Sequence, residues 1–343
     1  MTLVLVHPSP QTGAKELAKA LQRFGAARVE EGIVVLETDR AQEIAGMFGV
    51  AKVSIAIECE SQFSAISKAI AEVGRRTVLQ GQSFFVKVYL SKDRNFAARD
   101  LEFSATGALA AELAGVASPA KSEREASIAT IIAAYAGRRR AFVSLKEYEG
   151  AGGALAGSLG SASCAITGPL SLASCIAACR AGFFLPELLL LYSDEDDLCR
   201  NAKLARSLAE KTRVESQKIA IAKVPVVHAK DGRTKMLQLD LAAARTLARV
   251  ESSKNVVLPL SLATHPQWFI EMAMKEIHDA GKFPLVPLMF SEMDCTKEEE
   301  KEARGVTRQE FVKLKKTRLE GKKPRRIRLE VGPNYLHDII DSI

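Results

Sequence analysis

The sequence predicts a multidomain protein of mixed α/β and α+β class, and three observations predict it. Residues 2–58 alternate short strand and helix patterns on the scale of one small unit. At Ser61 the pattern restarts, which marks a second unit. Beyond a glycine-dense stretch at residues 150–160, strand and helix signals alternate regularly, the signature of a parallel sheet covered by helices on both faces.

Each element follows from its periodicity. Residues 3–6 read as a strand, and Leu17, Leu21 and Phe24 fall at helical spacing with Lys15, Lys19 and Arg23 outside. Strands at 33–37 and 53–58 flank a short helix near 41–48, so a ferredoxin-like α+β unit is expected. Phe63, Ile66, Ile70 and Val73 then form one helical stripe. In the strand that follows, Phe84, Val86, Val88 and Leu90 alternate with Phe85, Lys87 and Tyr89. A helix near 99–114 precedes strands at 128–134 and 141–146, a hairpin whose tip carries Arg138, Arg139 and Arg140. After the glycines come strands at 162–166, 188–192, 219–227, 255–258 and 285–288. Helices between them are expected up to Ala181, at 197–211, at 237–248 and at 268–280.

Composition narrows the class of function. At 343 residues the chain exceeds the usual single core, so two to four compact units are expected. Hydrophobic residues at 47% and charged residues at 26% describe an ordinary globular protein rather than a disordered one. The N-terminal residues 1–6 carry no basic leader or cleavage pattern, and the longest apolar stretch, 183–192, is interrupted by Pro186 and Glu187. A cytoplasmic location without membrane association is therefore expected. The six cysteines include no C-x-x-C pair, which argues against a zinc ribbon or disulfide scaffold, and no metal site is expected. Cys175 and Cys179 read as small buried hydrophobes. A net charge of +7 favours an anionic partner. Much of it lies in residues 311–328, where nine Lys or Arg face the single Glu320, and this block reads as a tail or arm. The five histidines are far apart in sequence and fit no catalytic spacing. Tyr89, Phe96, Trp268 and Tyr335 are expected in cores rather than as base-stacking platforms.

One arrangement of short motifs goes further. Gly150-Ala151-Gly152-Gly153-Ala154-Leu155-Ala156-Gly157-Ser158-Leu159-Gly160 precedes Thr167-Gly168-Pro169-Leu170-Ser171-Leu172. Upstream stand Phe84-Phe85-Val86-Lys87-Val88, Asp93, Asn95-Phe96 and Gly107; downstream stand Pro287-Leu288, Asp294, Lys297-Glu298-Glu299 and Ala303-Arg304-Gly305. In this order, over residues 1–305, the chain resembles the tRNA 4-thiouridine synthetase family, also described as thiamine-pathway sulfurtransferases. That family carries G-P-G-G-L-P-x-G-x-x-G and then S-G-G-x-D-S. The resemblance implies a ferredoxin-like domain at 1–60, a THUMP RNA-binding domain at 61–150 and a Gly-rich linker at 151–160. It further implies a Rossmann-like PP-loop domain of the adenine nucleotide alpha hydrolase-like kind at 161–305, with a basic tail at 306–343.

The departures bear on chemistry. A PP-loop holds pyrophosphate with backbone N–H groups between a strand and a helix N-terminus, and Pro169 removes one of them. The motif's aspartate falls on Ser171, which carries no charge for a magnesium ion, and its last serine falls on Leu172. The family's T-G-E-S-L-G-Q segment is matched only by Leu258-Pro259-Leu260-Ser261-Leu262-Ala263-Thr264. The expected function is therefore tRNA binding without ATP-dependent sulfur transfer, with a degenerate PP-loop, no assigned catalytic residue and no cofactor. Two alternatives stay open: an active enzyme that adenylates tRNA with ATP and Mg for thiolation, and an RNA-protein assembly factor. Thr167, Gly168 and Ser171 are the vestigial nucleotide-binding candidates. Lys87, Lys92, Arg94 and Arg99, together with Arg138, Arg139 and Arg140, are candidates for gripping RNA phosphates. Lys315, Lys316, Lys322, Lys323, Arg325 and Arg326 extend that set into the tail. A protein partner or a homodimer is the further expectation.

Overall fold

The computed structural model describes residues 2–91, 95–120, 125, 130–212, 216–226, 232–250, 252–290 and 325–330. The chain divides into two compact units, Met1–Gly153 and Ala154–Ile343.

The first unit runs β1 (Leu3–Pro8), α1 (Ala14–Leu21), β2 (Arg28–Glu30), β3 (Ile33–Glu37), α2 (Ala41–Ala45) and β4 (Val50–Glu60). It continues with α3 (Phe63–Thr77), β5 (Ser83–Leu90), α4 (Ala98–Glu112), β6 (Ser118–Pro119), β7 (Thr130–Ala136) and β8 (Arg140–Glu149). All eight strands form one sheet in the order β2-β3-β1-β4-β8-β7-β5-β6. The two halves expected at 1–60 and 61–150 share this sheet, because the long β4 pairs antiparallel with β1 on one side and β8 on the other. β5 is parallel to β6 and β7.

The helical stripe read from the sequence is the core of this unit. Ile66, Ile70 and Val73 of α3 are fully buried with Leu101, Ala105 and Leu109 of α4, over Phe84, Val86 and Val88 of β5. The two helices approach closely at Gly74, where an added Cβ would lie 2.5 Å from both Leu109 methyl carbons. Phe85, Lys87 and Tyr89 occupy the other face of β5, as strand alternation requires. Tyr89, expected in a core, is instead 48% exposed. It stands on the sheet face away from α3 and α4, and β6 pairs only with Ser83 and Phe84.

That second face curls on itself. Glu31, beyond the end of β2, accepts the Arg138 N–H at 2.7 Å from the β7–β8 turn, and Arg28 of β2 reaches Glu58 of β4 at 3.0 Å. Leu5, Val35, Ala56, Ala133, Tyr135 and Phe142 form the small core inside the curl.

The second unit runs β9 (Ala162–Ile166), α5 (Pro169–Ala181), β10 (Glu187–Tyr192), α6 (Glu195–Thr212), β11 (Ser216–Lys223) and α7 (Gly232–Ala248). Then follow β12 (Asn255–Val257), α8 (Gln267–Asp279), β13 (Phe283–Leu285) and β14 (Arg325–Glu330). The sheet order is β13-β12-β9-β10-β11-β14. Five strands are parallel and β14 joins β11 antiparallel. Arg325 and Arg326, expected in a tail, therefore lie on a strand. Their segment, Arg326-Ile327-Arg328-Leu329-Glu330, alternates charged and apolar residues with the period of two that a strand uses.

The glycine-dense stretch is hydrogen-bonded on both sides of the division. Gly150 and Gly152 donate to Ala51 and Val50, whereas Gly157 and Leu159 donate to the carbonyl of Gly182. Gly182 ends α5 in the left-handed region at φ 113°, where a Cβ would also strike Ser158 Oγ.

Candidate functional site

β9 is the central strand of the parallel sheet and all five of its residues are buried. The chain builds β10 and β11 on one side of β9, then returns to lay β12 and β13 on the other. This makes the carboxyl ends of β9 and β12 a topological switch point, the usual place for a ligand crevice in open α/β sheets. A cavity of about 310 Å³ lies there, lined by Thr167 through Ser171, Asp197, Arg200, Lys235, Asp240 and Pro259 among others.

The loop from β9 to α5 brings Thr167, Gly168 and Ser171 together, and it satisfies its own hydrogen bonds. Ser171, at the third position of α5, accepts the N–H of Thr167 at 3.0 Å and that of Gly168 at 3.1 Å. Pro169, at the first position, has no N–H to offer. The Thr167 hydroxyl donates inward to Asp240 Oδ1 at 2.7 Å. Ser171 is only 1% exposed. The Thr167 and Gly168 amides and the Thr167 hydroxyl are thus turned on neighbouring side chains.

Asp240 and His265 complete the network, both 3% exposed. His265 Nε2 lies 3.0 Å from Asp240 Oδ2, and its Nδ1 faces the Ser261 N–H at 3.3 Å and the Thr264 hydroxyl at 2.8 Å. A backbone amide only donates, so Nδ1 is the acceptor and Nε2 carries the proton toward Asp240. The segment that departs from the family's T-G-E-S-L-G-Q pattern is in this way tied to the β9 loop through α7.

A second group of charges forms the other wall. Lys235 pairs with Asp194 at 2.6 Å and with Asp197 at 2.9 Å, while Arg200 reaches Asp197 at 2.6 Å. The hydrogen bond from Lys235, with that from the Asp197 amide, brings the Asp194 carboxyl down to about 2. Burial works to raise Asp197, but the bonds from Ser193 and Lys235 outweigh it and hold the group below its ordinary value. The wall holds Asp194 and Asp197 against Lys235 and Arg200, so these two cations are already engaged.

This donor set differs from the one the family motif would supply. The loop lacks carboxylates, its amides at Thr167 and Gly168 are taken, and among the described residues no group of three or more His, Cys, Asp or Glu could hold a metal ion. Cys164 lies on β9 and Cys179 on α5, and burial pushes Cys164 well up and Cys179 up to about 12, so neither offers a thiolate at neutral pH. Buried small hydrophobes are what the sequence reading of Cys179 and Cys175 expected, and both lie in the core.

The basic candidates are spread over the first unit. Lys87 lies on the inner face of β5, Arg99 is exposed at the start of α4 on the helix layer, and Arg138, Arg139 and Arg140 form the exposed β7–β8 tip. Arg140 pairs with Glu58, which shares its carboxylate with Arg28. Lys92, Arg94, Lys315, Lys316, Lys322 and Lys323 lie outside the described residues, as does Tyr335.

Two clusters escaped the sequence reading. Asp240 and His265 are 25 residues apart and belong to no motif spacing; only burial joins them. On the inner face of the first sheet, Tyr135 OH meets Lys52 Nζ at 2.5 Å and Glu147 Oε1 at 3.2 Å, and the His7 ring lies 4.7 Å from that of Tyr135. Burial, reinforced by Lys52, lowers His7 to about 4.

No protein-family model and no curated protein matches the chain by sequence. Solved structures do match its fold. A 4-thiouridine synthetase–RNA complex with bound ATP aligns with a TM-score of 0.63 at 12% identity, over 100% of this chain and 95% of its own. PH1313 from Pyrococcus horikoshii Ot3 aligns with a TM-score of 0.59 at 14% identity, over 88% of this chain and 98% of its own. TrmN from Thermus thermophilus reaches a TM-score of only 0.38, which carries no argument about the fold. Among the described residues no helix is long and apolar enough to cross a membrane.

Proposed function

We propose that this chain binds tRNA and does not carry out ATP-dependent sulfur transfer. Support for the RNA part is the full-length likeness in fold to a 4-thiouridine synthetase solved with RNA. The observation that carries the second part is the closed β9–α5 loop, in which Ser171 takes both the Thr167 and the Gly168 amide and Asp240 takes the Thr167 hydroxyl. A pyrophosphate would have to break these bonds to use those groups. Lys87, Lys92, Arg94 and Arg99, with Arg138, Arg139 and Arg140, supply phosphate contacts in the first unit. The basic residues after 306 add a sequence-independent contribution.

The test has two arms. RNA co-purified with the protein is sequenced, and tRNA should dominate it. ATP turnover to AMP and pyrophosphate is then measured with that tRNA and magnesium, and none above background is expected. Robust AMP formation would sink the second part and leave the first standing. That outcome would favour the adenylating reading, for which the cavity of about 310 Å³ beside the loop is the supporting observation.

A further inference from the structure

Tyr89, next to last in β5, has its ring stacked on Tyr135 of β7, the centroids 5.0 Å apart and the planes 6° from parallel. The stack is set by strand register, because Tyr89 lies opposite Tyr135 in the parallel pair. Tyr135 is 7% exposed and anchored through its hydroxyl to Lys52 and Glu147, so the lower ring is fixed. The upper ring, 48% exposed, is thereby presented to solvent in one orientation. An aromatic side chain held rigidly at a surface loses little entropy on binding a second planar group.

Beside the two rings lies a cavity of about 130 Å³, small for a drug-sized ligand and suited to one planar heterocycle. Ile33 and Phe142 give it apolar walls, and Glu30 and Glu31 give it carboxylates. Lys87 precedes Tyr89 by two residues and shares its face of the strand. A stacking ring for a base with a nearby cation for its phosphate is the pattern by which sheets hold unpaired nucleotides.

The carboxylates choose the base. Ionised, they only accept hydrogen bonds, so the ligand must bring donors. Glu31 gives one oxygen to the Arg138 N–H and Glu30 one to Arg28 Nε, and each carboxylate has further acceptor sites. Guanine presents its ring N–H and its exocyclic amine side by side, a fork that one carboxylate can accept in two parallel bonds, whereas adenine offers only its amine.

We propose that Tyr89 is a base-stacking platform and that the adjoining cavity takes the guanine of an unpaired RNA nucleotide. The proposal rests on the RNA-binding reading above, and the test separates the two. Short single-stranded RNAs of equal length, with one guanine or with adenine in its place, are titrated against the full chain beside intact tRNA. The guanine RNA should bind about ten-fold tighter than the adenine RNA. Tyr89→Ala should weaken the guanine RNA by about five- to hundred-fold, and Tyr89→Phe should retain it. Glu30→Gln with Glu31→Gln should bring guanine and adenine together while stacking persists. Circular dichroism of each variant checks the fold, which an exposed ring should not govern. If tRNA binds the parent but Tyr89→Ala matches it on the guanine RNA, or if guanine and adenine bind alike, the platform is overturned and the RNA-binding reading survives. If no RNA binds the parent, both fall.

Discussion

Asp240 is the hinge of the network that closes the β9–α5 loop, and its removal gives the sharpest measure of that closure. Asp240→Ala strands two buried donors at once, the Thr167 hydroxyl and His265 Nε2, each previously bonded at 3.0 Å or less. A buried polar group left without a partner costs about 1 to 3 kcal/mol, so the variant should lose about 3 kcal/mol or more. Asp240→Asn keeps the shape and can still accept one donor and offer one, so a loss of about 1 kcal/mol is expected. The assay is urea unfolding followed by fluorescence. The chain has a single tryptophan, Trp268, in α8 and in edge contact with Phe269, whose ring stacks on His265, so the signal reports the second unit. If Asp240→Ala and Asp240→Asn unfold within about 0.5 kcal/mol of each other, the hydrogen bonds do not close the loop. Nucleotide affinity adds a second reading. Asp240→Ala frees the Thr167 hydroxyl but leaves Ser171 on both amides, so ATP affinity should stay negligible, whereas Ser171→Gly should release the amides and raise it.

The remaining predictions concern pH, packing and RNA. His7 is lowered to about 4 in the fold, so the unfolded chain binds the proton more readily between about pH 6.5 and 4. The stability this gives the first unit is complete above about 6.5 and is lost as pH falls toward 4; His7→Phe should flatten that slope, read by hydrogen exchange of the β1 and β4 amides. Asp194, held at about 2, contributes stability that is present above its unfolded value near 4 and lost as pH falls toward 2. Lys235→Met should therefore reduce the acid sensitivity of the Trp268 transition. Gly74→Ala forces Leu109 aside; a strain of about 1 to 3 kcal/mol outweighs the roughly 1 kcal/mol gained in helix propensity, and in a Leu109→Ala background most of the strain should go, leaving only the contact with Ile132 Cδ1 at 3.1 Å. Charge reversal at Lys87, Lys92 and Arg94 together should erase the preference for tRNA over unstructured RNA of equal length, measured by competition binding.

What the sequence disclosed was local periodicity, and it disclosed it well. The stripe Ile66, Ile70, Val73 and the alternation of Phe84, Val86, Val88 with Phe85, Lys87, Tyr89 state which side chains share a face, and the structure buries the first of each set. Strand order is a different kind of information. That β4 joins β1 to β8 depends on pairing between residues some 90 apart, such as Ser54 with Glu147, and neither segment alone marks the other as partner. Tyr89 illustrates the gap: alternation placed it opposite the helices, but only the short β6 and the curl of the sheet decide that this face is open at its end.

The candidate site divides along the same line. The loop Thr167-Gly168-Pro169-Leu170-Ser171 was legible as a strand-to-helix turn because glycine, proline at the first helical position and a hydroxyl at the third are local signals. Its partners were not. Asp240 lies in the apolar stretch of α7 between Leu239 and Leu241, and His265 follows a segment known only for the motif it lacks. A buried carboxylate in an apolar helix is costly unless paired, and that cost is itself the signal: a charged residue at a position the helical stripe assigns to the core must have partners elsewhere in the chain. Thr167 and His265 are those partners, one from each side of the switch point. Pairing Asp240 engages the Thr167 hydroxyl, while Ser171 separately takes the Thr167 and Gly168 amides, so two sets of hydrogen bonds that stabilise the second unit would each have to yield before a phosphate could use those groups.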